Sequence, residues 1–219
     1  MSIADLRRDY CLAGLRRKDL NTDPIVQFEK WFEQARVAHA SLAGKKVEDV
    51  NAMTLATADK QGQASARIVL LKGVDQRGFV FFTNYQSRKG RELTENPHAA
   101  AVFYWPELER QICIAGAVAK LSRAESEAYF KTRPKGSRLA ACASTQSEVI
   151  PNREALEEKW KTLETQYPGE DVPMPPYWGG YVLAPAHLEF WQGRPNRLHD
   201  RFRYSRPPGK GWQLERLAP

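Results

Sequence analysis

A chain of 219 residues, 42% of them hydrophobic, holds enough apolar material for a substantial core and is not disordered throughout. It has no run of 18 apolar residues, and charges interrupt the N-terminus where a secretory signal needs an apolar stretch, so a soluble, cytoplasmic protein with no membrane partner is expected. The formal charge of +7 calls for anionic partners. Nucleic acid comes first on charge alone, but the cations are dispersed and lack zinc-finger spacing, an RNP-like aromatic motif or a basic heptad array, which keeps small phosphorylated ligands in contention.

Residues 1–22 read as a flexible basic arm with Arg7, Arg8, Arg16, Arg17 and Lys18, expected to order only against another surface. Asp23 and Pro24 then open a helix, with Ile25, Phe28, Phe32 and Ala35 on one face, expected to end near Gly44. From Ala52 the apolar period shortens to two. AMTLATA, QASARIVLLKGV and GFVFFTN read as an antiparallel meander with turns at residues 59–62 and 75–78. A short helix from Ser87 to about Asn96 precedes two more strands, HAAAVFYW and RQICIAGAVAKL, separated by a turn at Pro106.

SRAE at residues 122–125 is a capping box for a helix running to about Arg133, where Pro134 discourages continuation. A helical piece through RLAACAS follows, then a surface helix in PNREALEEKWKTLETQY with Asn152 as its N-cap. VPMPPYWGG reads as a connector. GYVLAPAHLEFWQ, RLHDRFRYSR and GWQLERLAP close the chain as strands. Six to eight short strands with inserted helices, no repeats and no hinge linker describe a mainly β protein, an antiparallel barrel with helical decoration, forming a single domain over residues 23–219.

Three widely spaced cysteines without a C-x-x-C pair read as reduced thiols, and the four histidines form no metal-ligand spacing, so no metal is expected. No glycine-rich phosphate loop follows a strand, which leaves side chains to hold any phosphate. SRKGREL puts Arg88 and Lys89 at a helix N-terminus, where the helix dipole disfavours cations unless an anion neutralises them; two solvated cations on an exposed turn are the alternative. In RIVLLK, Arg67 and Lys72 fall on opposite faces by parity unless the strand bulges, and either could simply cap the strand in solvent.

In YFKTRPKGS, Tyr129 and Arg133 lie one helical turn apart with Ser137 just beyond, a hydroxyl–guanidinium–hydroxyl set able to converge on a phosphate, although each alone is commonplace. LEFWQGRPNRLHDRFRY poses the sharpest question. Arg197, His199 and Arg201 alternate as if lining one face of a strand, with Leu198, Phe202 and Tyr204 on the other. Such a face either meets an anion or defends an exposed edge. Two phosphate sites in one basic barrel suggest a phosphorylated cofactor facing a phosphorylated substrate.

These motifs, together with LERQI, STQS and the terminal ERLAP, closely resemble the pyridoxine (pyridoxamine) 5′-phosphate oxidases from Arg7 onward. The resemblance implies an FMN-binding split β-barrel and a homodimer with FMN at the subunit interface. It also implies oxidation of pyridoxine 5′-phosphate or pyridoxamine 5′-phosphate to pyridoxal 5′-phosphate, by hydride transfer from C4′ to flavin N5, with O2 as acceptor and H2O2 as product.

By the same resemblance Arg67, Ile68, Val69, Leu70, Phe82, Thr83, Arg88, Lys89, Gln111, Gln146, Ser147, Trp191 and Arg201 contact FMN. Lys72, Tyr129, Arg133 and Ser137 hold the substrate phosphate, Arg197 and His199 stand beside the reacting carbon, and Arg7, Arg8, Asp9 and Tyr10 close over the substrate. Phe82 stands where tyrosine is frequent and Asp9 where glutamate is usual. KKVEDV inserts a surface loop before the first strand.

Overall fold

The computed structural model describes residues 2–6, 9–41, 50–207 and 209–219. Asp23 caps the first helix, α1 (Pro24–Ala40), by accepting from the Ile25 N–H, and Pro24 at the first helical position has no N–H to leave unpaired. The helix stops at Ala40, four residues short of the expected Gly44, which lies outside the described residues, as does most of the KKVEDV loop.

β1 (Ala52–Ala58) and β2 (Ala64–Leu70) form a hairpin, followed by β3 (Gly73–Asp75) and β4 (Gly78–Asn84). The sequence reading ran β2 and β3 together as one strand. The chain instead breaks at Leu71 and Lys72, whose N–H groups cross to different partners, Asn51 and Val80. That switch of partner at Lys72 adds a ninth strand to the expected six to eight. α2 (Arg88–Glu95), capped by Ser87, leads into β5 (His98–Trp105) and β6 (Arg110–Lys120). Next come α3 (Arg123–Thr132), with the Ser122–Glu125 capping box in place, α4 (Lys135–Ala143) and α5 (Arg153–Gln166). β7 (Trp178–Gln192), β8 (Asp200–Ser205) and β9 (Gln213–Leu217) end the chain.

All pairings are antiparallel, in the order β2-β1-β5-β6-β7-β4-β3, with β8 and β9 continuing from β7. β7 organises the sheet. One edge pairs with β6 along its length; the other pairs with β4 over residues 178–183 and with β8 over residues 187–192. The change of partner falls at a register shift opposite Ala115 and Gly116, next to Pro185, which has no N–H for a ladder. One strand thereby serves two sheet halves that curl apart, a split barrel.

Phe28 and Trp31 of α1 plug the barrel: Phe28 meets Phe79 at 4.8 Å and Phe103 at 5.2 Å, and Trp31 meets Phe190 edge-on at 5.1 Å. All five are buried, so truncating Phe28 to alanine should cost about 3–5 kcal/mol. A satellite cluster of Phe130, Met174 and Trp178, with Phe82 and Tyr129 against it, sits under α3 at the start of β7. The segment after Tyr10 lies along the barrel. The Leu15 N–H donates to Asp200 at 3.0 Å, and the Asn21 carbonyl accepts from Tyr204 Oη. Among the described residues no helix is long and apolar enough to cross a membrane.

The strand expected to begin at Arg197 begins at Asp200. Arg197 closes a 3-10 turn, Pro195–Arg197, in which Asn196 and Arg197 have φ of 56° and 61°. Proline fixes the turn's first φ, and two consecutive left-handed residues cannot extend a pleat, so parity fails before Asp200. Leu198 is exposed at 68% instead of lining the inner face, whereas Phe202 and Tyr204 are buried as alternation requires.

Candidate active site

Two cavities hold most of the expected site residues. The first, of about 670 Å³, is lined by Ile68, Val69 and Leu70 of β2, Lys72, Phe82 and Thr83 of β4, Lys89, Tyr129, Arg133, Ser137 and Gln146, with Trp178 at its wall. Gly180 makes room for Phe82, because a Cβ there would stand 2.8 Å from the ring. Within this cavity Lys89 is buried and donates to Thr83 Oγ1 at 3.3 Å, Ser87 Oγ at 3.4 Å and Gln146 Oε1 at 3.1 Å, all neutral oxygens. Burial and the nearby Arg67 charge, partly offset by Glu92, bring its pKa down to about 8. A strained ammonium at a helix N-terminus, ringed by hydroxyls, is a donor set that suits a phosphate.

Arg67 and Arg88 meet on one carboxylate behind Lys89. Glu92, almost fully buried, accepts from Arg88 Nε at 2.8 Å and lies 3.4 Å from Arg67 Nη2, while Thr57 and Ser65 accept from Arg67 and donate to Glu92. Burial alone would raise the Glu92 pKa, but the hydrogen bonds from Ser65, Thr57 and Arg88 and the charge of Arg67 outweigh it and hold it at about 2. Three cations less one carboxylate leave a charge of +2 beside the first cavity, which matches a phosphate dianion. Arg67 pairs with Glu92 while Lys72 lines the first cavity, but strand parity does not relate them, because β2 ends at Leu70 before Lys72.

Tyr129 stacks on Phe82 at 3.9 Å, and burial raises its phenol pKa. Arg133 lies over the Trp178 ring, 4.7 Å from its centroid; its Nη1 is buried without a hydrogen-bond partner, and burial lowers its pKa. Ser137, one turn into α4, completes this cluster.

The second cavity, of about 680 Å³, is lined by Leu6, Asp9, Tyr10, Trp191, Arg194, Asn196, Arg197 and His199. Tyr10 packs edge-on against Trp191 and His199, at 5.5 and 5.7 Å, and Gly193 permits that approach because a Cβ there would sit 2.7 Å from the tyrosine ring. The Arg194 N–H donates to His199 Nδ1 at 3.1 Å. A backbone N–H can only donate, so the neutral imidazole carries its proton on Nε2. Burial and the charges of Arg197 and Arg201 lower the His199 pKa, which keeps the ring neutral at pH 7.

Gln111, Trp191 and Arg201 form one rung across β6, β7 and β8 and therefore share a sheet face. Arg201 is clamped by Glu189 at 2.7 Å, and Gln111 donates to Cys113 Sγ. Ser147, at φ 76°, follows Gln146 but points into a different, smaller cavity beside α5. Arg7 and Arg8 lie outside the described residues. Sequence reasoning missed Glu92 and gave no role to Trp178 or Arg194. The i,i+4 spacing of Arg88 and Glu92 was a usable signal for the first; nothing local marks the other two.

The two cavities share no lining residue. Trp178 of the first and Trp191 of the second begin and nearly end β7, thirteen residues apart and on the order of 40 Å of extended strand.

An antiparallel split barrel that presents a buried lysine, a helix N-terminus and a second cation–hydroxyl cluster in one cavity is built as a flavoprotein of the FMN-binding split-barrel class. A family model for pyridoxamine 5′-phosphate oxidase matches residues 43–167, and one for the pyridoxine 5′-phosphate oxidase C-terminal dimerisation region matches residues 178–219. The chain belongs to the pyridoxine/pyridoxamine 5′-phosphate oxidase family.

Oxidases of that name from Paraburkholderia phymatum and Nostoc punctiforme are 55% and 53% identical, each match covering 100% of this chain and 99% of the relative. Among solved structures, PhzG from Burkholderia lata, in complex with tetrahydrophenazine-1-carboxylic acid, is 32% identical with a TM-score of 0.85, over 97% of this chain and 100% of its own. A pyridoxamine 5′-phosphate oxidase-related FMN-binding protein from Nostoc punctiforme shares the fold, at 19% identity and a TM-score of 0.69, over 88% of this chain and 97% of its own.

Proposed function

We propose that this chain is an FMN-dependent oxidase that converts pyridoxine 5′-phosphate or pyridoxamine 5′-phosphate to pyridoxal 5′-phosphate, and that it works as a homodimer whose sites each draw on both chains. The observation that carries the reading is the division of the site residues between two cavities at opposite ends of β7. One chain offers phosphate-binding groups at one end and Arg197 with His199 at the other. A symmetric pair brings an end of each kind together twice. The exposed apolar side chains of Ile68 and Leu70 on edge strand β2 suit such a contact.

In this reading Arg67, Arg88, Lys89 and Thr83 hold the FMN phosphate, with Ile68, Val69, Leu70, Phe82, Gln146 and Ser147 from the same chain and Gln111, Trp191 and Arg201 from the partner. FMN held there would supply the two-electron acceptor for the substrate, with O2 as the final acceptor and H2O2 as product. Lys72, Tyr129, Arg133 and Ser137 hold the substrate phosphate and so fix the distance of C4′ from the reacting face. Arg197, on its left-handed turn, offers a guanidinium that stabilises charge developing at C4′. His199, neutral and protonated on Nε2, donates a hydrogen bond to a polar substituent of the pyridine ring. Asp9 and Tyr10 close the cavity against water. A cytoplasmic setting accords with three cysteines that are all free thiols.

Anaerobic addition of pyridoxine 5′-phosphate to the purified yellow protein should bleach its flavin absorbance, and air should restore it with one H2O2 per aldehyde formed. A colourless protein, or a flavin that this substrate leaves oxidised, would contradict the assignment. Bleaching by an unphosphorylated carboxylic acid instead would favour a ligand nearer to the tetrahydrophenazine-1-carboxylic acid found in complex with PhzG.

A further inference from the structure

We propose that Trp178 positions Arg133 for the substrate phosphate, its indole face carrying the guanidinium where a carboxylate would ordinarily do so. The inference rests on the reading of Arg133 as a phosphate ligand.

The arginines assigned to FMN each have an acid. Arg67 and Arg88 share Glu92, and Arg201 has Glu189. Arg133 has none among the described residues. Its Cζ stands 4.7 Å from the Trp178 centroid and 5.5 Å from that of Phe130, and its buried Nη1 has no hydrogen-bond partner. The ring quadrupole attracts a cation without occupying any N–H, so all five guanidinium donors remain for an incoming dianion. A carboxylate would take two of those donors and add a negative charge where the ligand brings its own.

The platform is rigid. Trp178 is 7% exposed, pairs with Asn84 at the start of β7, and meets Phe130 edge-on at 5.0 Å. Phe82 stacks on Trp178 at 5.5 Å and 13°, and Tyr129 stacks on Phe82 at 3.9 Å and 17°. Three parallel rings thus back the face on which the guanidinium rests.

The test uses the FMN-loaded full-length protein with Trp178→Leu, Trp178→Phe, Arg133→Ala and the double variant Trp178→Leu/Arg133→Ala. Equilibrium binding of pyridoxal 5′-phosphate and of unphosphorylated pyridoxal is measured alongside KM and kcat for pyridoxine 5′-phosphate. Trp178→Leu should weaken pyridoxal 5′-phosphate roughly five- to thirty-fold and leave pyridoxal unaffected, with the kinetic loss falling on KM rather than kcat. Trp178→Phe, which keeps a smaller face, should recover much of that loss. In the Arg133→Ala background the tryptophan change should cost little more.

Equal weakening of both ligands, or additive losses in the double variant, would overturn the proposal. If Arg133→Ala itself leaves pyridoxal 5′-phosphate binding unchanged, the phosphate role of Arg133 falls instead. Should the leucine variant not fold, Trp178→Phe with and without Arg133→Ala completes the same cycle, and an effect of the phenylalanine that persists without Arg133 refutes the proposal.

Discussion

Lys89 offers the sharpest quantitative check on the flavin phosphate site. Its amine, held at about 8 against an ordinary 10.5, has lost about 3 kcal/mol of preference for the charged form. The sign follows from linkage. Between pH 8 and 10.5 the unfolded chain still binds a proton that the folded, FMN-free protein has released, so stability rises with pH across that window. A phosphate on Lys89 reverses the balance, because a dianion beside the amine favours its charged form. Binding of FMN at pH 9 should therefore take up about 0.9 proton, the neutral fraction of a lysine titrating near 8.

The phosphate's own second ionisation, at about 6, is complete at that pH and contributes nothing. Calorimetric titration of the FMN-free protein in two buffers of different ionisation enthalpy measures the uptake directly. Lys89→Met should abolish it and weaken FMN by roughly ten-fold or more, the worth of a charge-assisted hydrogen bond. Negligible uptake in the parent protein, or equal uptake in the methionine variant, would refute the reasoning.

Glu92→Ala strands Arg67 and the hydroxyls of Thr57 and Ser65, so it should cost about 3–5 kcal/mol and lower Tm by about 10 °C, read by thermal denaturation. Because the Glu92 carboxyl is held at about 2 against an ordinary 4.5, its stabilisation is fully present above pH 4.5 and is lost as pH falls toward 2; the variant should lack that part of the acid transition. Arg197→Met should lower kcat by a hundred-fold or more, by analogy with the loss of an oxyanion-hole donor, while the protein stays yellow; normal turnover would remove Arg197 from the chemistry.

Much of the fold was legible because its signals are local. Asp23-Pro24, the Ser122–Glu125 box and Asn152 each cap the helix they were expected to open, the helix expected from Ser87 begins there, and alternation marked β1 and β5. What failed depended on partners distant in sequence. The break at Leu71 and Lys72 arises because two consecutive N–H groups find Asn51 and Val80, neither visible from RIVLLK itself. Arg197 left its expected strand because Pro195 and two left-handed residues form a turn before β8 begins.

Within the site, composition marked Lys89, Arg133 and Tyr129, and the family resemblance supplied the roles. Glu92 and Trp178 escaped notice because one works from behind the cations and the other through a ring face. Neither bears the charge that first draws attention to a phosphate site.

The claim that each site is shared between two chains can be tested by itself. Arg133→Ala and Arg197→Met chains, co-expressed with different tags and purified through both, give a heterodimer in which one site has both parental halves and the other has neither. The account predicts that this heterodimer recovers about half the kcat/KM of the parent dimer, although each variant homodimer is defective in kcat/KM. If the heterodimer remains as impaired as the homodimers, Arg133 and Arg197 act from the same chain and the shared site is wrong.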